Sequence, residues 1–215
     1  MQFGVDEAGK GPVLGSMFAA AVRADPAVLP AGIDDSKNLS VARREEFASA
    51  LRADDRVTVG LAEIPPDRID DPETDMNTLT VAAQADALDA VARDGDRGAV
   101  DAGDTDAARF GRRVGDHVAA DLDVVAEHGA DETYALVGAA SIIAKVARDA
   151  HVENLAARHD SYDDVGSGYP SDPATREFLR AYVSDHGELP SCARASWQTS
   201  QDVLAAAAQT GLDEF

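Results

Sequence analysis

Two rhythms of apolar and polar positions divide the chain. Short apolar runs predict strands over residues 2–5 and 16–24, and alternation with a period of two, the mark of a strand with one buried face, predicts one over 56–64. Short aliphatic runs over 97–103, ended by Gly103, and over 122–128 predict two further strands. Between them the spacing lengthens to that of a helix. Helices are expected through 42–53, with Ser40 as the capping residue, and through 77–94, 106–119, 137–159, 174–186 and 201–209. Strands first, helices interleaved and a helical last third describe an α/β domain, a mixed β-sheet flanked by helices with a helical C-terminal appendage. We expect a catalytic domain over 1–160, a helical region packed on it over 161–208 and a tail over 209–215.

Composition narrows the picture. An apolar fraction of 45% in 215 residues is enough for a core. The single cysteine, Cys192, excludes an internal disulfide and a thiolate metal site, which suits a reducing cytoplasm. The start MQFGVDEAGKG has neither a basic region nor a long apolar stretch, so no leader or anchor is expected and the protein is read as cytoplasmic and monomeric.

Charge complicates it. The 40 acidic residues against 19 basic ones give a net charge of −21, which by itself excludes a polyanion as partner in dilute buffer. The excess is uneven: residues 51–130 hold 19 acids and 8 bases, residues 1–50 only 7 and 5. Lysine is nearly absent, since 16 of the 19 cations are arginine and only Lys10, Lys37 and Lys145 remain. Dispersed acidity with so little lysine fits a protein adapted to molar salt; an acidic surface for cations or a basic partner is the other reading.

Asp6-Glu7-Ala8-Gly9-Lys10-Gly11 closes the first strand. Neighbours in a strand face opposite ways, so the two acids can share a site only if the strand ends or bulges there. Alone, the hexapeptide also fits a surface turn with two solvated acids. Asp101 ends the aliphatic strand over 97–103, and Asp131 stands just before the long helix, each readable as a cap or as a ligand. With no cysteine or histidine cluster, such acids make an oxygen-only site suited to Mg²⁺ or Mn²⁺. On the long helix Ser141, Lys145 and Arg148 share a face. Lys10 and Lys37 sit in loops, Gly-Lys-Gly and Asp-Ser-Lys, of the kind that cradles phosphate.

Taken together, GVDEAGKGPVLG at 4–15, DDSKNLS at 34–40, VDA at 100–102, ADETYALVGAASIIAKVARD at 130–149, GSGYPSDPAT at 166–175 and SW at 196–197 resemble ribonuclease HII. The resemblance spans most of the chain and implies an RNase H-like sheet. It further implies an endonuclease that cuts the RNA strand of RNA–DNA hybrids and cuts at ribonucleotides embedded in duplex DNA, leaving 3′-hydroxyl and 5′-phosphate ends. The family's four acids, catalytic and metal-binding, map onto Asp6, Glu7, Asp101 and Asp131, with Asp149 the competing choice for the fourth; two Mn²⁺ or Mg²⁺ ions are implied. By the same resemblance Gly9, Lys10 and Gly11 read the ribose 2′-hydroxyl, Tyr169 stacks on the sugar, and Lys37, Ser141 and Lys145 contact phosphates. Arginine is commoner than lysine at position 10, and Trp197 is read as packing.

The tail, with Gln209, Leu212 and Phe215, is similar to a sliding-clamp binding box that stops one aromatic short. Two alternatives remain at this point: another nuclease of the same sheet fold, which the ribose-reading elements disfavour, and a non-catalytic nucleic-acid or clamp-binding adaptor.

Overall fold

The computed structural model describes residues 1–33 and 39–213, without the side chains of 210–213. Five strands, β1 (Gln2–Ala8), β2 (Met17–Ala24), β3 (Thr58–Ile64), β4 (Arg97–Asp101) and β5 (Asp123–Glu127), form one sheet in the order β3-β2-β1-β4-β5. β1 runs antiparallel to β2 and parallel to β4, and β4 parallel to β5, so the sheet is mixed as expected. The helices are α1 (Val41–Ala53), α2 (Pro66–Ile69), α3 (Met76–Asp89), α4 (Ala107–His117), α5 (Ala130–Thr133), α6 (Ala135–Arg158), α7 (Pro173–His186) and α8 (Gln198–Asp213). None is long and apolar enough to cross a membrane among the described residues.

Several helices begin on acidic side chains. Asp75 accepts from the Thr78 amide at 2.9 Å, Asp106 from Arg109 at 2.9 Å and Asp172 from Ala174 at 3.0 Å; Ser40 does the same for Arg43 at 3.3 Å. Part of the acid surplus is therefore used to satisfy amides that a helix start leaves without partners.

The chain divides into two compact units: Met1–Lys10, Met17–Glu63 and Asp75–Arg148 in one, Gly11–Ser16, Ile64–Thr74 and Asp149–Phe215 in the other. The first is built on the sheet. Ala20, Val22 and Ala24 of β2 pack with Phe47 and Leu51 of α1 and with Leu136, Ala140 and Ile143 of α6. Small side chains on the sheet let helices come close, as at Gly4, where a Cβ would fall inside the backbone of Leu136 and Val137. An ion pair is buried near the end of β2, with Arg23 Nε donating to Asp96 Oδ2 at 2.5 Å and the two side chains 11% and 3% exposed.

The second unit has its own core, with Phe178, Leu179 and Val183 of α7 against Val13, Leu14, Leu155, Val165, Cys192 and Val203. This unit joins the chain from Asp149 onward to two earlier segments, Gly11–Ser16 and Ile64–Thr74, a join that no pattern read along the chain reveals.

Candidate active site

β1 carries Asp6 and Glu7 in unbroken register, opposite Ala20 and Ala19 of β2, and ends only at Ala8. The expected strand end or bulge at the two acids is therefore absent; the turn comes later, at Gly9 with φ of 88°. The strand's alternation sends Asp6 toward α6, where the Ser141 hydroxyl donates to it, and Glu7 toward α3, where Gln84 Nε2 donates to Glu7 Oε2 at 2.6 Å. One position from the strand's end, these side chains still act on each other and on Asp101. Burial and then the Glu7 charge push the Asp6 carboxyl well up, with Asp101 adding to the effect. Burial, opposed by the Gln84 hydrogen bond and reinforced by Asp101, pushes Glu7 up to about 7.

Asp101 ends β4 beside β1. Its Oδ1 accepts the Ala130 amide at 2.8 Å, which ties the end of the strand to the first turn of α5. The next residue on that turn is Asp131, 6% exposed. The predicted acids thus stand at the carboxyl ends of two parallel neighbours and on the short helix bonded to one of them, where α/β sheets place their ligands. Asp149 lies further along α6, half-buried. A cavity of about 360 Å³ lined by Phe3, Ala99, Val125 and Leu136 sits at the opposite ends of these strands and contains none of the acids.

Lysines border the acids. Lys145 Nζ donates to Ser141 Oγ at 2.8 Å, so lysine, serine and Asp6 form a chain of hydrogen bonds. Ser141, expected at a phosphate, is fully buried on α6, and its hydroxyl is committed to these two neighbours. Lys10 Nζ donates to the Gly103 carbonyl at 2.6 Å and to Asn77 Oδ1 at 3.4 Å, and its charge draws Glu7 downward. Lys37 lies outside the described residues.

Within the second unit Gly11 and Tyr169, both associated with ribose, are neighbours. Tyr169, 40% exposed, lies with its Cε1 3.7 Å from where a Cβ on Gly11 would stand, so a side chain there would fill the space before the ring. The Tyr169 loop is held at Gly168, whose carbonyl accepts from Val13 at 2.8 Å and Leu14 at 3.2 Å and whose amide donates to buried Thr175 Oγ1 at 2.9 Å. Trp197, read as packing, also donates through Nε1 to the Gly11 carbonyl at 3.2 Å. Asp70 anchors the same loop by accepting from the Ala195 and Ser196 amides at 2.7 and 2.8 Å. In the sequence Asp70 and Gln84 each read as an ordinary polar position.

On the tail, Gln209 is exposed on α8; the Leu212 side chain and Phe215 lie outside the described residues.

The donors suit a hard divalent cation. They are carboxylates only, and Asp6 and Glu7 bear a burial and repulsion cost that positive charge would offset. Among the described residues no three side chains of Asp, Glu, His or Cys already stand as close as ligands around a filled metal site. The fit rests on donor chemistry and shared electrostatics.

An α/β protein with carboxylates at the ends of adjacent parallel strands is laid out for metal-dependent chemistry. The ribonuclease HII family model matches residues 3–200. Ribonuclease HII of the halophile Halobacterium salinarum is 69% identical over 214 residues, covering 100% of this chain and 99% of that protein. Ribonuclease H2 from Pyrococcus horikoshii superposes with a TM-score of 0.87 at 34% identity, over 97% of this chain and 99% of that one. Ribonuclease HII of Archaeoglobus fulgidus, solved in complex with PCNA, gives 0.82 at 37% identity over 94% and 96%. The chain belongs to the ribonuclease HII family. It is a type II ribonuclease H, a divalent-metal-dependent endonuclease that cuts the RNA strand of RNA–DNA hybrids.

Proposed function

We propose that the protein also incises duplex DNA at single embedded ribonucleotides, on the 5′ side of the ribonucleotide, leaving 3′-hydroxyl and 5′-phosphate ends. The observation that supports this reading is the nearness of Tyr169 to Gly11, with Cε1 3.7 Å from where a Cβ on Gly11 would stand, which leaves an exposed ring beside bare backbone for contact with a single sugar. Asp6, Glu7, Asp101 and Asp131 would hold two divalent cations, Mn²⁺ or Mg²⁺, which when bound supply activation of the attacking water and stabilisation of the departing 3′ oxygen. Gly9, Lys10 and Gly11 present backbone groups to the 2′-hydroxyl. The Lys10 bond to Gly103 ties that loop to the turn after Asp101, so recognition and ligation share a support. Ser141 and Lys145 orient Asp6, and Lys37 with Lys145 supplies positive charge toward phosphates.

The test is a DNA duplex carrying one ribonucleotide, incubated in high salt with Mn²⁺ or Mg²⁺. Incision at that nucleotide alone is expected, with Asp101→Asn binding the duplex but cutting it at least about 100-fold more slowly. Incision of all-DNA duplex to the same extent, or full turnover by Asp101→Asn, would refute the assignment.

We also propose that Gln209, Leu212 and Phe215 engage a sliding clamp, as the Archaeoglobus relative's complex with PCNA suggests. Removing residues 209–215 should abolish binding to a clamp and leave cleavage of short duplexes intact; equal clamp affinity in both forms would reject it.

A further inference from the structure

Gln84 is a fully buried amide in a helix otherwise packed with Leu79, Val81, Ala83, Ala85 and Leu88. Burying an amide there costs stability unless it is matched by hydrogen bonds. Its two donor bonds go to the acids: Nε2 reaches Glu7 Oε2 at 2.6 Å on β1 and the Asp101 carbonyl at 2.9 Å on β4. The other end of the amide gains nothing. Gln84 Oε1 is buried with no hydrogen-bond partner among the described residues. A residue placed for folding would not keep an orphan acceptor in an apolar helix face when leucine or methionine would fill the same space.

We infer that Gln84 is a positioning residue for the metal site, one amide that fixes the Glu7 carboxylate and the end of β4 at a set separation and so presents Glu7 and Asp101 together to a divalent cation. The inference rests on the reading of these acids as ligands. It assigns Gln84 no contact with substrate. Partners that orient metal-binding carboxylates typically contribute 10–100-fold in affinity when lost. In the metal-free protein an apolar replacement leaves the buried Glu7 Oε2 and the Asp101 carbonyl without that donor, a cost that removal of the orphan Oε1 offsets only in part.

The experiment measures Mn²⁺ binding to the metal-free protein in molar KCl, by calorimetry and by loss of the free-ion EPR signal, with thermal unfolding in EDTA alongside. Gln84→Met keeps length and volume without a donor; Gln84→Asn keeps the amide but lacks the reach. Both should weaken Mn²⁺ binding about 10–100-fold at a temperature where the unfolding curves in EDTA show the metal-free variants fully folded. Mn²⁺ affinity equal to wild type in both variants would overturn the inference, as would weakened binding that appears only where the metal-free variants are partly unfolded, the sign of a folding role. Asp101→Asn separates this from failure of the underlying reading: if wild type and Asp101→Asn bind Mn²⁺ alike, the acids are not the ligands and both fall.

Discussion

Among the carboxylates, two opposite pH responses are built into one unit. Asp6 and Glu7 are held above their ordinary values by burial and mutual repulsion, Glu7 at about 7 against 4.5. Between those values the folded metal-free protein binds protons that the unfolded chain has released, so stability is present at the acid end and lost as pH rises through 7. Asp96 behaves in the reverse sense. The hydrogen bond from Arg23 holds it at about 2 against 3.8, so its contribution is present above 3.8 and lost as pH falls toward 2. In EDTA the thermal midpoint should therefore fall between pH 5 and 7.5, and Glu7→Gln should flatten that slope; a midpoint rising over this range in the wild type would contradict the assignment. Saturating Mn²⁺ should remove the decline, because the cation competes with the protons.

At the scale of elements, most of the framework was legible because it follows from periodicity. All five strands and the helices through α1, α3, α4, α6 and α7 lie where the apolar spacing puts them. The four-residue helices α2 and α5 were not, being too short to show a period, and α8 begins at Gln198 rather than 201. The end of β1 was misplaced for a physical reason: Asp6 and Glu7 look like a turn because charge is rare in a buried strand, yet Ser141 and Gln84 receive them on its two faces. The resemblance supplied the four acids, whereas the residues that orient them, Gln84 and the buried hydroxyl of Ser141, depend on which helix meets which face. Gly4 sets that meeting on the α6 side. Gly4→Ala should push α6 off the sheet, cost about 1–3 kcal/mol in unfolding free energy, and reduce cleavage beyond what the lost stability explains; an unchanged melting temperature would show that the close approach is not required.

For the molecule as a whole, net charge first argues against a nucleic-acid partner, and family membership reverses that. At molar salt the Debye length is about 3 Å, so dispersed acids scarcely repel a duplex while contacts within the site persist. Counterion release then contributes less to binding than hydrogen bonds and stacking do. Acidity is also structural, as the capping aspartates show, so neutralising the surface wholesale would loosen helix starts along with changing solubility.

Cys192 gives a way to watch the two units separately. It is the only thiol in the chain, lies 8% exposed in the second unit's core, and burial pushes it up to about 11, so it is an unreactive thiol while that core is closed. The acids belong to the first unit. A thiol-specific dye therefore acts as a clock for opening of one unit while Mn²⁺ is added to the other. If the two open as a single cooperative body, saturating metal should slow labelling of Cys192 in proportion to the stability it adds; if they open independently, the labelling rate will not respond to metal at all.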